Sequence, residues 1–509
     1  MALEIVINKH VKSPLITQES SMSSVSRRKF ITTSLATTVA VGTLANQPAR
    51  LFARNANQKV ALGFISCGGR GRQLMEQFQA TKMADIVAIC DPDQELMDMV
   101  NKTIAPKAKT YTDLRKLFED PSIDAVVIAT CNHWHCLAAI WAMEAGKHVY
   151  VEKPLSHTQW EGDQTVAAAR RYGKVCQIGT QQRSDPMQPE IKKFLHEEKA
   201  LGEITAVKVN RYGVRGAIGK RDTPLEIPKS VNYDMWLGPA IDQPILRDKL
   251  HYDWHWDWNT GSGEMGNWGV HILDDVRNNV FLDSVKLPQK IFGGGGRVVW
   301  DDAGNTPNVH FTYFDTGSIP VAIGLTNLPE QPGGKKNPKP HGPKSGYVTF
   351  CEGGEFHGER GKAVAFDKDG NVVRRFKGNR GEVSHQKNFL DAVIANDSSM
   401  LNAEIEVGHH STGWSNLANI SYRAGSQMST DDIRSVQDPQ WQQLVDQMEQ
   451  HLGVYGLKLD DKAIQMSPML SLNEEGQFVG EHSEKANPFL KREYRKGFEV
   501  PELAVAAVN

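Results

Sequence analysis

The sequence predicts an α/β protein in which a parallel sheet covered by helices on both faces is followed by an α+β domain built on a mostly antiparallel sheet. Before about residue 180, short segments that are apolar throughout alternate with helical segments, which is typical of strands buried on both faces. After about residue 200, polar and apolar residues alternate along the strands, which indicates that one face meets solvent. A chain of 509 residues is also too long for one compact core, so two domains are expected.

Five apolar segments define the predicted parallel sheet, at 59–65, 86–90, 125–130, 148–151 and 175–178. Helices are predicted between them, and the helix that starts near residue 137 ends before Gly146. Alternation predicts the later strands at 204–210, 309–312, 347–350 and 363–366. We therefore expect the parallel-sheet domain at 58–180, the second sheet domain at 181–425, and a C-terminal extension at 426–509 that packs on the body.

Residues 1–57 are predicted to be an export signal and linker. Residues 26–31 read SRRKFI, a twin-arginine signature, and the moderately apolar segment 31–45 that follows is too short to span a bilayer. We expect export to the periplasm by the twin-arginine route, and no membrane span in the mature chain. A disordered N-terminal tail is the alternative.

Composition narrows the class of ligand. The formal net charge is -2 and there is no long basic segment, so no nucleic-acid partner is expected. The chain has six cysteines, and five of them fall within the predicted parallel-sheet domain, which does not resemble a disulfide framework. A small-molecule ligand is the interpretation that these features favour.

The turn after the first strand has the pattern of a dinucleotide-binding fingerprint, with serine at the position of the first glycine. Its predicted cofactor contacts are Ser66, Gly68, Gly69, Arg70 and Gly71. Gly68 lets the backbone approach a pyrophosphate, whose charge is favoured at the start of the next helix. Asp91 ends the second strand and can accept bonds from both ribose hydroxyls, which favours NAD, whereas Arg70 and Arg72 leave NADP open.

Four stretches resemble the glucose-fructose oxidoreductase / inositol dehydrogenase / MocA family. They are Glu-Lys-Pro at 152–154 after the fourth strand, ATCNHWH at 129–135, QIGTQQR at 177–183 and GEMGNWGVHILD at 263–274. Cys131 stands where that family usually has proline, and Asn267 where it often has aspartate. The resemblance covers residues 59 to about 425 and implies a Rossmann domain, a sheet domain that forms homo-oligomers, a nicotinamide cofactor and a sugar or polyol substrate.

The resemblance also implies site residues. Further cofactor contacts are expected at Asp91, Thr130, Asn132, His135, Glu152, Lys153 and Gln181, and substrate contacts at Arg183, Asn267 and His271. Lys153 lies at the carboxyl edge of the predicted sheet, where burial lowers the pKa of a lysine and lets it shuttle a proton. His271 and Asp274 are three residues apart on one helix face, so that Asp274 can orient the imidazole, and we predict that Lys153, His271 and Asp274 are catalytic.

Residues 251–258 read HYDWHWDW, which in an extended conformation places three tryptophans on one face. Such rings stack on sugars, so Trp254, His255 and Trp256 are predicted substrate contacts, and an aromatic core or a subunit interface is the alternative. Imidazole, thiolate and carboxylate groups could hold a metal at two places, but no metal site is predicted. The candidate ligands are His255, Asp257, His271 with Asp274 or Asp275, and Cys131, His133, His135 with Cys136.

Together these features predict hydride transfer between a sugar or glycoside hydroxyl carbon and a nicotinamide cofactor. The cofactor is expected to be tightly bound, because an exported enzyme meets no ready pool of soluble nicotinamide. Two alternatives stay open. One is an NAD-dependent glycoside hydrolase or lyase that oxidises a ring carbon transiently, and the other is a non-catalytic sugar-binding protein, which Ser66 and Asn267 leave open.

Overall fold

The structure, a computed structural model, describes residues 59–503. The expected twin-arginine signal lies outside these residues. Within the described range, no helix combines the length and the apolar composition that crossing a bilayer requires.

The first sheet has six parallel strands: β1 Val60–Ile65, β2 Ala84–Cys90, β3 Lys109–Tyr111, β4 Ala125–Ile128, β5 His148–Val151 and β6 Cys176–Ile178. Five helices alternate with them: α1 Gly69–Ala80, α2 Gln94–Thr103, α3 Leu114–Phe118, α4 His135–Glu144 and α5 Gln159–Tyr172. The spatial order is β3-β2-β1-β4-β5-β6, so the order reverses between β1 and β4. Ligands bind at such a switch point, outside the carboxyl ends of the strands.

This arrangement confirms the predicted Rossmann-type fold. The one strand of the first sheet that the apolar pattern did not predict is β3, a three-residue edge strand with exposed polar side chains. Strand β3 lies at the edge of the sheet with its side chains largely exposed, so it has no apolar segment to mark it.

The second sheet has eleven strands in the described part of the chain: β7 Ile204–Tyr212, β8 Lys290–Gly296, β9 Val309–Asp315, β10 Val321–Thr326, β11 Ser345–Cys351, β12 Gly354–Glu359, β13 Lys362–Asp367, β14 Val372–Lys377, β15 Gln465–Met466, β16 Leu470–Leu472 and β17 Phe478–Val479. All of its pairings are antiparallel except that of β7 with β10. The mostly antiparallel second sheet is thereby confirmed, and three of its strands come from residues 465–479.

The remaining helices are α6 Met187–Lys192, α7 Tyr233–Leu237, α8 Val270–Asn279, α9 Ser384–Ala395, α10 Ile405–Arg423, α11 Thr430–Ile433, α12 Pro439–Gly453 and α13 Ser483–Ala486. Helices α8 and α10 pack on one face of the second sheet, and α12 packs on the other through Trp441 and Leu444. Alternation along the strands predicted a solvent-facing side, but β7 and β10 are buried on both faces because α12 covers them.

Two helices of the second half pack against the first half. Phe389 of α9 packs edge-on against Phe78 and Tyr150 of the parallel-sheet domain. Thr412 of α10 accepts a hydrogen bond from the Leu155 amide at 3.0 Å. These contacts hold α9 and α10 against the parallel-sheet domain.

Candidate active site

A cavity of about 710 Å³ opens at the carboxyl edge of the parallel sheet, a size ordinary for a small-molecule site. The glycine turn and the ends of β2, β4 and β5 form one wall, and residues between 235 and 268 form the other. The structure brings these predicted site residues together in its lining: Ser66, Gly68, Gly69, Arg70, Asp91, Thr130, Asn132, His135, Glu152, Lys153, Trp254, His255 and Asn267.

The glycine turn leaves room for an anion at the start of α1. A side chain built on Gly69 would meet nothing within 4 Å, and no side chain caps the first amides of α1. Ser66 has a φ of 94°, a conformation that glycine adopts more readily, and its hydroxyl accepts a bond from the Gly68 amide at 3.2 Å. Gly71 packs against the Ser66 carbonyl so closely that a Cβ would overlap it. The turn therefore has room for a pyrophosphate, and the hydrogen bond between Ser66 and Gly68 lies inside the turn.

Asp91 is fixed at the end of β2 by backbone donors. Its carboxylate accepts bonds from the Cys67 amide at 2.6 Å and the Asp93 amide at 2.9 Å. Burial raises the pKa of Asp91 to about 6, and these two amides act in the opposite direction. Each carboxylate oxygen keeps a further lone pair, so Asp91 can still accept a bond from a ribose hydroxyl.

Glu152 is surrounded by donors. Arg70 donates to it at 2.8 Å and Gln181 at 3.1 Å. Burial opposes its ionisation, but the charges of Arg70 and Lys153 hold the pKa of Glu152 below its usual value. A side chain at Gly179 would collide with this carboxylate. Glu152 thus connects the first turn of α1 to the end of β5. Gln181 contacts Glu152 but is not among the residues that line the cavity.

Lys153 and Asn267 meet across the cavity. The ammonium of Lys153 donates to the Asn267 carbonyl at 2.7 Å and to its side-chain oxygen at 3.3 Å. Burial lowers the pKa of Lys153 to about 8. Both hydrogen-bond partners are uncharged oxygens, so neither stabilises the ammonium as a carboxylate would. Part of the lysine population is therefore neutral near physiological pH.

His271 is a buried, neutral imidazole four residues after Asn267. Burial, aided by the charges of Arg360 and Lys153, holds the pKa of His271 well below its usual value. Its ring lies 5.8 Å from that of Trp268, and no hydrogen bond reaches it from any residue in the range 59–503. His271 therefore keeps both ring nitrogens free of hydrogen bonds within the described residues, but it is not among the residues that line the cavity.

His135 has both ring nitrogens within hydrogen-bond distance of carbonyls, Pro154 at 2.7 Å and Thr130 at 3.1 Å. This bonding connects the Thr130 loop to the segment after Lys153. Asn132 accepts a bond from the Ser262 hydroxyl at 2.8 Å, which joins the same loop to the opposite wall.

Two predicted roles are corrected. Asp274 accepts bonds from Arg183 and from the Ser411 hydroxyl, each at 2.7 Å, instead of orienting His271. Arg183 also binds Asp283 at 2.8 Å, and neither Arg183 nor Asp274 is among the residues that line the cavity. The predicted substrate contact at Arg183 is therefore a buried ion pair that ties residues 181–184 to α8. The three-residue spacing of His271 and Asp274 predicts that they share a helix face, but it does not predict which residue Asp274 binds.

The tryptophan-rich segment is not extended, because residues 253–256 form a 3-10 turn. Trp254 and His255 stack at 3.6 Å and line the cavity. Trp256, predicted to contact substrate, is instead 4% exposed and belongs to the core. Asp257 binds Arg247 at 3.0 Å and is occupied there.

The metal-ligand sets weighed from sequence do not come together. Among the described residues, the one group of histidine, cysteine and acidic side chains that converges closely enough for a metal is His341, Glu355 and His357. Both of these histidines contact the same Glu355 oxygen at 2.8 Å.

Sequence reasoning missed the charged groups behind Asn267. Glu264 accepts bonds from Arg211 at 2.7 Å and Arg215 at 3.1 Å, while Asn267 donates to its other oxygen at 3.1 Å. The Arg211 guanidinium lies 4.3 Å from the centre of the Trp268 ring. Glu264 and Trp268 fall inside the 263–274 stretch and could have been inferred from it, whereas no local pattern connects Arg211 to that stretch.

A parallel sheet with an anion-binding turn, a fixed carboxylate after β2 and a buried lysine after β5 define a nicotinamide-dinucleotide-binding oxidoreductase. Residues 60–180 match the oxidoreductase family with an NAD-binding Rossmann fold, and residues 202–327 match the C-terminal alpha/beta domain of the same family. The chain belongs to the Gfo/Idh/MocA oxidoreductase family.

Curated relatives match over a short segment. The glycosyl hydrolase family 109 protein 1 of Shewanella sp. (strain ANA-3) is 40% identical over 127 residues, which is 23% of this chain and 28% of that relative. The alpha-N-acetylgalactosaminidase of Shewanella oneidensis is 39% identical over the same length and the same shares. The match therefore spans well under half of the length of these relatives.

Solved structures share the fold. The WlbA dehydrogenase from Bordetella pertussis, in complex with NADH and UDP-GlcNAcA, is 17% identical with a TM-score of 0.53, and the match covers 71% of this chain and 94% of that one. Levoglucosan dehydrogenase, in complex with NADH and levoglucosan, is 18% identical with a TM-score of 0.53, covering 71% and 96%.

Proposed function

We propose that this protein oxidises a hydroxyl-bearing carbon of a sugar or glycoside, with tightly bound NAD as the cofactor and Lys153 as the proton acceptor. The observation that carries the proposal is the state of Lys153. It is held at the carboxyl edge of the parallel sheet by a neutral partner, and burial lowers its pKa to about 8. A lysine in this state exchanges a proton near neutral pH.

The residues around the glycine turn would hold the dinucleotide. The uncapped amides at the start of α1, beginning with Gly69, would bind its pyrophosphate, and Asp91 would accept bonds from the ribose hydroxyls. The Asp91 carboxylate would repel a 2′-phosphate, which favours NAD over NADP. When bound, the nicotinamide supplies the hydride acceptor.

The other residues of the cavity manage the proton and the substrate. Neutral Lys153 takes the proton of the reacting hydroxyl while Asn267 holds its nitrogen in place. Glu152 and Glu264 both favour the ammonium that results. The stacked rings of Trp254 and His255 offer an aromatic face to the apolar side of a sugar ring.

A second candidate function is cleavage of a glycoside through transient oxidation of a ring carbon, elimination of the substituent, addition of water and return of the hydride. His271 favours it, as a second neutral base free of hydrogen bonds within residues 59–503. Oxidation acidifies the neighbouring C–H bond, and its removal needs a base beside the one that took the hydroxyl proton. The relatives named as glycosyl hydrolases fit this route.

The experiment that separates these reactions follows two products at once. Purified protein, with its nucleotide content measured by mass, is incubated with a panel of glycosides while NADH absorbance and released reducing sugar are recorded. NADH that accumulates with oxidised sugar supports net oxidation. Reducing sugar released without net NADH supports cleavage by transient oxidation.

Lys153→Ala should lower kcat by about 10²- to 10⁴-fold in either reaction, because one positioned proton transfer is lost. The matched control is Lys116→Ala, since the Lys116 side chain is 65% exposed in the same domain. Steady-state kinetics and nucleotide content are measured for both variants. A Lys153→Ala protein with normal kcat and full cofactor content contradicts the proposal.

A further inference from the structure

Cationic groups outnumber acids around Asn267 and Trp268, two residues of the second half of the chain that line the cavity. Arg211 and Arg215 share a single carboxylate, because three of their nitrogens contact the same Glu264 oxygen. The other Glu264 oxygen is taken by the Asn267 amide. One carboxylate thus serves two guanidinium groups, and one positive charge is left over.

Arg360 adds a further charge at the turn between β12 and β13. Its guanidinium lies 5.6 Å from the centre of the Trp268 ring, a ring that lines the cavity. Gln182 donates to the Glu359 carbonyl at 3.2 Å, so the segment after β6 also holds this turn.

Arg360 is not in an ion pair with any acid among the described residues. Its Nε is buried without a hydrogen-bond partner, and the guanidinium makes no ion pair within 4.0 Å in the described part of the chain. The nearest acid in electrostatic terms is Asp275, whose pKa is held well above its usual value by burial and by Asp274. Glu152 and Glu382 also act on Arg360, but neither forms an ion pair with it within 4.0 Å in residues 59–503. A half-buried unpaired charge is costly unless a ligand compensates it.

The cofactor does not account for this group. Arg70 belongs to the glycine turn and is engaged by Glu152 at 2.7 Å. Arg211, Arg215 and Arg360 contact Trp268 or Glu264 on the opposite wall. Arg360 is not among the residues that line the cavity, but it adjoins Trp268, which is, and its charge acts on Lys153 and His271.

We propose that Arg360, beside Trp268, is a binding site for an anionic group on the sugar substrate, either a carboxylate or a sulfate. The inference rests on the proposed function of the cavity and names the substrate class. A guanidinium binds both groups through two parallel hydrogen bonds, which a lysine cannot reproduce.

The test measures binding without turnover. The NAD-loaded protein is titrated calorimetrically with methyl glucuronide, glucose 6-sulfate and the neutral methyl glucoside. At least one anionic sugar should bind about 10- to 100-fold more tightly than the neutral one, as expected for charge-assisted hydrogen bonds. The stronger of the two anionic probes identifies the group as carboxylate or sulfate.

Arg360→Gln should reduce the affinity for the anionic sugar to that for the neutral one, and Arg360→Lys should restore it only in part. Arg375→Gln, an exposed arginine on β14, is the matched control and should leave all three affinities unchanged. Thermal unfolding is followed for each variant, and the lysine variant keeps the test valid if the glutamine variant does not fold. Equal affinities for neutral and anionic sugars in the unaltered protein overturn the inference, as does an equal loss for both in the Arg360 variants.

These outcomes are distinct from failure of the proposed function. Anionic binding that depends on Arg360, without any NADH or released sugar, would refute the oxidation chemistry and leave the anion site standing. Turnover of glycosides by a protein that binds anionic and neutral sugars equally would refute the anion site and leave the oxidation chemistry standing.

Discussion

The pKa of Lys153 is set by its burial and by two charged neighbours, Glu152 and Arg70. Burial lowers the pKa of Lys153 to about 8, Glu152 acts to raise it, and Arg70 acts to lower it. Removing a proton from a hydroxyl requires the neutral lysine. The rate of the chemical step therefore depends on how much of this residue is deprotonated at a given pH.

We expect kcat/KM to rise with pH by about tenfold per unit below the pKa of Lys153 and to level off above about 8. The direction follows from the lysine being active without its proton. The measurement is a pH profile between 6 and about 10 with saturating cofactor, alongside the exposed-lysine variant Lys116→Ala as control. A rate independent of pH across that range would remove Lys153 as the base.

Individual residues differ in how well the sequence alone predicts them. The glycine turn, Asp91 and Lys153 each follow a strand within a few residues, so a local pattern is sufficient to place them at the edge of the sheet. Arg360 comes from a turn more than 200 residues beyond Lys153, and only the pairing of strands brings the two together. Its side chain has no local signal because an isolated arginine in a turn is ordinary.

At the scale of elements, ion pairs and hydrogen bonds of one arginine connect α8 to the linker after β6. Arg183 follows β6 and contacts Asp274, Asn278 and Asp283, which lie on or just after α8. Asp274 was predicted to act on His271 because the two share a helix face, but a charged partner from another element lies closer. The sequence could predict helix α8 and the face on which Asp274 lies. The residue that binds Asp274 depends on tertiary packing.

Asp274→Ala should lower the free energy of unfolding by about 3–5 kcal/mol, because it leaves the buried Arg183 with only part of its compensation. The measurement is urea unfolding followed by circular dichroism. Asp301→Ala removes an exposed ion pair with Lys220 and serves as the control, with little expected change. If Asp274→Ala unfolds like the unaltered protein, the ion pair does not contribute as described.

At the scale of the whole molecule, the C-terminal extension completes the second sheet. Helix α12 and strands β15 to β17 cover or extend strands that alternation had predicted to meet solvent. The sequence could not predict this cover, because the extension is polar and its few apolar positions on α12 are spread along one helix face. Association of the protein into a homo-oligomer through its sheet domain stays a prediction.

Export remains a proposal with consequences for the chemistry. A periplasmic enzyme meets no ready pool of soluble nicotinamide, so the cofactor has to be bound before transport and restored within the site afterwards. The twin-arginine route carries folded proteins, and the motif at 26–31 is an address for it. Export would therefore favour a reaction that returns the hydride, either to a second substrate or to the same one.

Arg27→Lys with Arg28→Lys should keep the protein in the cytoplasm, because the route recognises the guanidinium pair and not positive charge alone. The measurement is cell fractionation with quantification of the protein in each fraction, together with nucleotide content by mass in the periplasmic material. Arg50→Lys with Arg54→Lys makes the same chemical change later in the leader and should leave export intact. If the first double variant reaches the periplasm in unchanged yield, the motif is not an export address. The argument for a tightly bound cofactor then loses its support, whereas the argument from Lys153 does not depend on it.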